Sequence, residues 1–167
     1  KDCLGREWQM GTVQVDFQLP LRFNLSYIDE NGEKKPPILI HRALFGSFER
    51  FIGIITEHFA GAFPVWLAPT QAKVLLVSKK SFEYGNKVYN ALRNAGIRCD
   101  LDDRDEKIGY MIREAQIVDR VPYILIIGQQ ESRNDTISVR NRDTSQTVTM
   151  KLEDFIDKTI NEIHNRT

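Results

Sequence analysis

Ser47, Arg50 and His41 are the side chains of the stretch Pro37 to Phe59, PILIHRALFGSFERFIGIITEHF, whose types and places are suited to chemistry. Ser47 stands where one periodicity gives way to another, a position suited to capping the amino end of a helix. Arg50 then falls in the first turn. The unpaired N–H groups there already carry partial positive charge, so a cation is electrostatically misplaced unless an anion joins it. Arg50 is therefore either an exposed first-turn cation or a group that holds an anion at the end of a strand. His41 lies in an apolar run, where a lone histidine is either a hydrogen-bonded core residue or a ligand.

The elements that position these groups follow from spacing. Ile38 to Phe45 is apolar or β-compatible and reads as a buried strand carrying His41 and Arg42. Gly46 is the break, and Phe48, Phe51, Ile52, Ile55 and Phe59 recur at the intervals of an amphipathic helix. Upstream, Gly11 to Phe17 alternates, with Val13, Val15 and Phe17 on one face and Thr12, Gln14 and Asp16 on the other, as in a half-buried strand. Phe23, Leu25 and Tyr27 alternate again, and Asp29 to Lys35 is a polar turn centred on Asn31-Gly32. The expectation is three antiparallel strands closed by a helix.

Gly61 to Pro69, with Pro64, Trp66 and Pro69, ends the helix and reads as a link between domains. Beyond it Lys73 to Ser78 and Tyr123 to Ile127 are continuous apolar runs, as expected of strands covered on both faces. Phe82 to Ala95 is helical, with Ser81 as a cap and Gly96 as its stop, and Ile108, Met111, Ile112 and Ala115 mark a second helix ended by Pro122. Ile97, Cys99 and Leu101 form a short strand between them. Thr136 to Arg142 and Thr147 to Lys151 are more polar strands joined by a turn, and Leu152 to Ile163 is a final helix. The fold class is α/β. An antiparallel piece (residues 1–66) precedes a domain (residues 67–167) with a mixed five-stranded sheet and three helices, its parallel core covered on both faces and an antiparallel hairpin at one edge.

Composition narrows the partners. The 167 residues are 41% hydrophobic and carry 23 basic and 23 acidic side chains. Before Leu67 there are 7 basic and 8 acidic residues, after it 16 and 15, so neither half is a polycation. Nucleic-acid contact would rest on placed residues. Cys3 and Cys99 have no metal or redox spacing and suit a reducing compartment. No run approaches the ~18 apolar residues of a membrane span, and the polar start KDCLGREWQ is no signal peptide.

HRALFGSFERFIGIITEH resembles the third signature motif of class II aminoacyl-tRNA synthetases, with threonyl-tRNA synthetases as the closest match. LGREWQMGTVQVDFQLPLRFNLSYID is similar to the segment preceding it in that family. FPVWLAPTQ, NAGIR, DEKIGYMIREAQ and VPYILIIG are similar to the anticodon-binding domain that follows. The resemblance runs collinearly over the whole chain. The family's first two class II motifs and its editing domain have no counterpart in these residues.

The resemblance implies that Arg50 contacts the γ-phosphate of ATP, a use suited to a guanidinium fork. It implies that Gln9, Thr12 and Gln14 contact the adenylate and the amino acid, and that Ser47 lies at the adenine end of the pocket. It implies that His41 is one of three zinc ligands, the other two lying outside this sequence. Zinc with open positions can take the amino and hydroxyl groups of threonine, which an apolar pocket distinguishes poorly from the near-isosteric valine. Mg²⁺ would accompany ATP. Asp105, Arg120, Glu131 and Arg140 match positions that touch anticodon bases, each otherwise a surface charge; Asp105 stands where some relatives have asparagine.

The expected function is thus ligation of threonine to its tRNA by a larger homodimeric enzyme of the cytoplasm or an organelle matrix, this piece supplying motif 3 and anticodon recognition. The isolated piece is expected to be inactive. The alternative is a non-catalytic, synthetase-derived module that binds nucleic acid or protein, against which the retention of His41 and Arg50 argues.

Overall fold

The computed structural model describes residues 1–167. They form two compact units, Lys1–Phe59 and Ala60–Thr167.

In the first unit, strand β1 (Thr12–Asp16) pairs antiparallel with β4 (Leu39–Ala43), with Gln14 opposite His41. Strands β2 (Tyr27–Ile28) and β3 (Lys34–Lys35) pair only with each other. The Asn31-Gly32 turn is present. Asp29 Oδ1 accepts the N–H groups of Asn31 and Glu33, each at 2.9 Å, and Gly32 takes φ +78°. The expected three-stranded sheet, however, is two separate ribbons.

Between β1 and β2 lies a short helix, α1 (Gln18–Arg22), in a stretch between the two alternating segments to which spacing assigns no element. Asp16 Oδ1 accepts the N–H groups of Gln18 at 2.7 Å and Leu19 at 2.9 Å. Pro20 sits in the first turn, where its missing N–H costs little. Asn24, at φ 51°, then turns the chain away, so Phe23 and Leu25 never enter a strand.

The strand read as half-buried and the one read as buried are also corrected. Val13, Val15 and Ile40 are 63%, 54% and 65% exposed, because a two-stranded ribbon has no second layer to bury either face. Helix α2 (Phe48–His58) begins as expected, with Ser47 Oγ accepting the Arg50 N–H at 3.3 Å. None of its residues is buried; Phe51 stacks on Phe45 with centroids 4.4 Å apart.

The second unit is built on β5 (Ala72–Leu76), β6 (Cys99–Asp102), β7 (Tyr123–Ile127), β8 (Ile137–Asn141) and β9 (Thr147–Met150), in the sheet order β6-β5-β7-β8-β9. The first three are parallel and the last two antiparallel, as the alternation of elements predicts. Successive side chains on a strand point to opposite faces. Val74, Leu76, Leu125, Ile127, Ile137 and Val139 pack under helices α3 (Phe82–Asn94) and α6 (Leu152–Asn165), while Leu75 and Ile124 pack with Met111 of α4 (Ile108–Arg113) and with Ala115 just beyond it. α4 continues into a π turn over Glu114–Val118.

Gly96 ends α3 at φ +80°, with the Gly96 N–H bonded to the Arg93 carbonyl and the Ile97 N–H to the Leu92 carbonyl, each at 3.0 Å. Those paired bonds close the helix in the Schellman manner. Ser81 does not cap its other end: the hydroxyl is buried and makes no hydrogen bond. A fourth helix, α5 (Gln129–Asn134), was not expected from sequence. Its residues QQESRN have no apolar stripe. It is started by Gly128, whose N–H bonds to Glu131 Oε2 at 2.9 Å, and ended by Asp135 in the left-handed region.

The segment read as an exposed link is tied into this unit. Gln71 Nε2 donates to the Val65 carbonyl at 2.8 Å, Arg98 donates to the carbonyls of Trp66 and Ala68, and Arg142 donates to that of Phe63 at 3.0 Å. Limited chymotrypsin digestion should accordingly cut after exposed Phe17, Phe23 or Phe48 before it cuts after Trp66. First cleavage at Trp66 would contradict the docking of this segment.

Candidate functional site

In the first unit, β1 and β4 place Thr12, Gln14 and Asp16 on the same face as His41, because residues directly opposite in an antiparallel pair share a face. Gln14, Asp16 and His41 line an open concavity of about 670 Å³. Asp16 Oδ2 lies 3.7 Å from His41 Nε2. The Asp16 carboxyl is held below the usual carboxylate range, first by the Leu19 and Gln18 N–H groups and then, against a small burial penalty, by His41. His41 itself is about half exposed, with 45% of its side chain accessible, and is not the buried residue expected.

Elsewhere in this unit, Ser47 and Arg50 open α2 and the backbone of Gln9 runs beside the turn before them. A Cβ placed on Gly46, at φ +68°, would lie 3.6 Å from the Met10 carbonyl oxygen and 3.7 Å from that of Gln9. The turn before α2 therefore runs against the segment bearing Gln9. Two guanidinium groups lie over the Trp8 ring, with Arg50 Cζ 5.4 Å and Arg6 Cζ 5.5 Å from its centroid. Its indole N–H donates to Asp2 at 2.9 Å, the largest of the causes that draw the Asp2 carboxyl down to about 2.

No three His, Cys, Asp or Glu side chains gather to hold a metal ion. The donors present, His41 and neighbouring Asp16, do not by themselves fit a zinc site of three protein ligands.

In the second unit, α4 covers only the middle of its face of the sheet. Ser138 and Arg140 on β8 and Thr147 and Thr149 on β9 share the half left open, since Ser138 is opposite Thr149 and Arg140 opposite Thr147. Arg140 Nε donates to Gln116 Oε1 at 3.2 Å, and an Nη donates to the Ser145 carbonyl at 2.8 Å. Glu131 reaches this half-face from α5, accepting from Ser138 Oγ at 2.8 Å and from the Gly128 N–H. Burial pushes the Glu131 pKa up, but these hydrogen bonds to the carboxylate outweigh it and leave it below the ordinary value.

The other two predicted RNA contacts lie elsewhere. Asp105 follows β6 at the carboxyl edge of the parallel strands, ion-paired with Lys79 at 3.2 Å, and lines a cavity of about 360 Å³ with Val77 and Phe82. Arg120 precedes β7 at the opposite edge, in the left-handed region at φ 52°, and its guanidinium donates to the Ala60 carbonyl. Arg142, which alternation along Thr136 to Arg142 would set on the face of Ser138 and Arg140, is turned into the domain, donating to the carbonyls of Phe63 and Arg120. Alternation along Thr136 to Arg142 places Ser138 on the face of Arg140, whereas Gln116, Ser145 and Trp8 carry no sequence signal for their parts in these arrangements.

Residues 71–162 match the model of the anticodon binding domain family. The chain belongs to this family. Residues 1–59 match the tRNA synthetase class II core domain (G, H, P, S and T). The chain is 54% identical over 166 residues to the threonine–tRNA ligase of Clostridioides difficile (strain 630), covering 99% of this chain and 26% of that relative. It is 54% identical over 163 residues to the threonine–tRNA ligase of Caldanaerobacter subterraneus subsp. tengcongensis, covering 98% of this chain and 25% of the relative. The chain thus spans about a quarter of the length of the curated relatives it matches. The solved RNA binding domain of threonyl-tRNA synthetase from Cryptosporidium parvum Iowa II superposes with a TM-score of 0.87 at 40% identity, over 96% of this chain and 40% of that one. Prolyl-tRNA synthetase from Cryptosporidium parvum, at 22% identity and a TM-score of 0.70 over 95% of this chain and 35% of that one, shares the fold. No helix is long and apolar enough to cross a membrane.

Proposed function

We propose that this chain is the carboxy-terminal part of a class II threonine–tRNA ligase, its second unit reading the anticodon of threonine tRNA and its first completing the site where ATP and threonine form the adenylate. The observation that carries the proposal is the open, polar half-face of the sheet, presenting Arg140, Glu131 and Ser138 in a domain of the anticodon-binding family. Sequence-specific RNA recognition works on unstacked bases whose edges accept and donate hydrogen bonds. A guanidinium and a carboxylate held on one surface offer both kinds of partner.

In the first unit, Arg50 would meet the γ-phosphate of Mg²⁺-bound ATP, Ser47 the adenine end, and Gln9, Thr12 and Gln14 the adenylate and amino acid. His41 enters as a single donor to the zinc that resemblance implies. Adenylate formation needs no covalent enzyme intermediate, so these groups act by holding carboxylate and α-phosphate in line and by balancing charge. Assembly as a homodimer is part of the same proposal.

Binding of the threonine tRNA anticodon hairpin, compared with the same hairpin carrying a replaced anticodon, tests the reading. The 167-residue chain should prefer the first, and the Arg140→Ala, Glu131→Ala double variant should lose that preference, at about 1–3 kcal/mol for each base-reading side chain. Equal binding of both hairpins by the unaltered chain would sink the anticodon assignment. Loss of both hairpins by the variant would favour a generic RNA-binding module.

A further inference from the structure

On the anticodon-binding reading, we infer that Gln116 is a positioning residue that holds the Arg140 guanidinium ready for an unstacked RNA base. Gln116 lies in the π turn, where the Asp119 N–H reaches back five residues to the Glu114 carbonyl at 3.0 Å. π turns inserted in α-helices are often found at functional positions. Here the Gln116 side chain bonds to β8 and to the turn that follows it.

All parts of its amide are used. Nε2 donates to the Arg142 carbonyl at 3.2 Å and to Ser145 Oγ at 2.8 Å, and Oε1 accepts from Arg140 Nε at 3.2 Å. The flipped amide would set an oxygen against the Arg142 carbonyl and an NH2 group against the guanidinium. Only one orientation satisfies the site. The Ser145 carbonyl takes a second Arg140 hydrogen at 2.8 Å. A guanidinium has five N–H donors, so the remaining donors of Arg140 are free for a partner from outside. An arginine fixed at two points loses less rotamer freedom on meeting a base than a free one, which favours affinity for the hydrogen-bonding base.

The test is a double-mutant cycle on the 167-residue chain, using the same two hairpins. Gln116→Met keeps the volume of the side chain and removes its amide. It should weaken the threonine hairpin about ten- to a hundredfold and leave the replaced-anticodon hairpin unchanged. In the Arg140→Ala background it should have no further effect. Independently of RNA, hydrogen exchange at Arg140 Nε–H should speed up in Gln116→Met with the melting midpoint held within a few degrees. Additive losses in the cycle, an unaltered affinity in Gln116→Met, or unaltered exchange at Arg140 would overturn the inference. Discrimination by the unaltered chain together with additive losses sinks the role of Gln116 alone; equal binding of both hairpins by the unaltered chain sinks that role and the anticodon reading together.

Discussion

Phe155→Ala should cost about 3–5 kcal/mol of the stability of the second unit, the usual loss for removing a large buried aromatic. Phe155 is fully buried and meets the Tyr123 ring edge-on, with centroids 5.3 Å apart. It belongs to the cluster that joins α6 and α3 to the sheet, so its deletion leaves a cavity bounded by elements fixed on several sides. Tyr123 cannot simply turn into the space, because its hydroxyl is bonded to both oxygens of Glu162 at 2.9 and 3.0 Å. A domain has a net stability of about 5–15 kcal/mol, so a large share would vanish. Ile160→Ala on the same helix, at a side chain 40% exposed, should cost under about 1.5 kcal/mol by loss of partial burial. Denaturant unfolding of both variants decides the matter. A Phe155→Ala loss no larger than that of Ile160→Ala would mean that α6 is not fixed against the sheet as described.

The second unit was legible because its elements are buried by one another. Leu75, Leu76, Leu125 and Ile127 could be read as strand residues from continuous apolar runs, and Leu92, Gly96 and Ile97 announced the end of a helix that forms its expected terminal bonds. The first unit misled for the opposite reason. Alternation at Val13 and Val15 and the apolar run around Ile40 signal a partner layer, and the ribbon as it stands has none, so sequence read burial where the structure shows exposure. Short elements escaped because they are set by local polar bonds: Asp16 starts α1 and Glu131 closes the start of α5, neither leaving a periodic trace.

The site residues divide along the same line. Thr12, Gln14 and His41 share a face because strand parity puts them there, and parity can be read from sequence. Arg140 and Ser138 share one likewise. The link from Arg140 to Gln116 depends on a π turn, which breaks the helical period on which a sequence reading of α4 relies. Arg120 and Asp105 are separated by the length of the parallel strands, one before β7 and the other after β6. Contact of both with one RNA would therefore require a loop spread along that sheet.

Arg50→Ala, placed in a full-length threonine–tRNA ligase that carries this chain as its carboxy-terminal part, should lower threonine-dependent exchange between ATP and pyrophosphate about 10²–10³-fold, the scale for losing one preorganised donor to developing charge. The local geometry supports the proposed phosphate contact. The Arg50 N–H is used by Ser47, which fixes the first turn of α2, while the guanidinium lies near the face of Trp8. A cation at the positive end of a helix costs about 0.3–1 kcal/mol in the absence of an anion, so the arrangement favours binding a phosphate group there. Arg50→Lys should restore only part of the rate, since an ammonium lacks the planar fork that grips two phosphate oxygens. Binding of the anticodon hairpin to the 167-residue chain should be unchanged, because Arg50 belongs to the unit Lys1–Phe59. An exchange rate unaffected by Arg50→Ala, with α2 made slightly more stable by removal of the misplaced charge, would leave Arg50 as an exposed first-turn cation and remove the phosphate contact from the proposed mechanism.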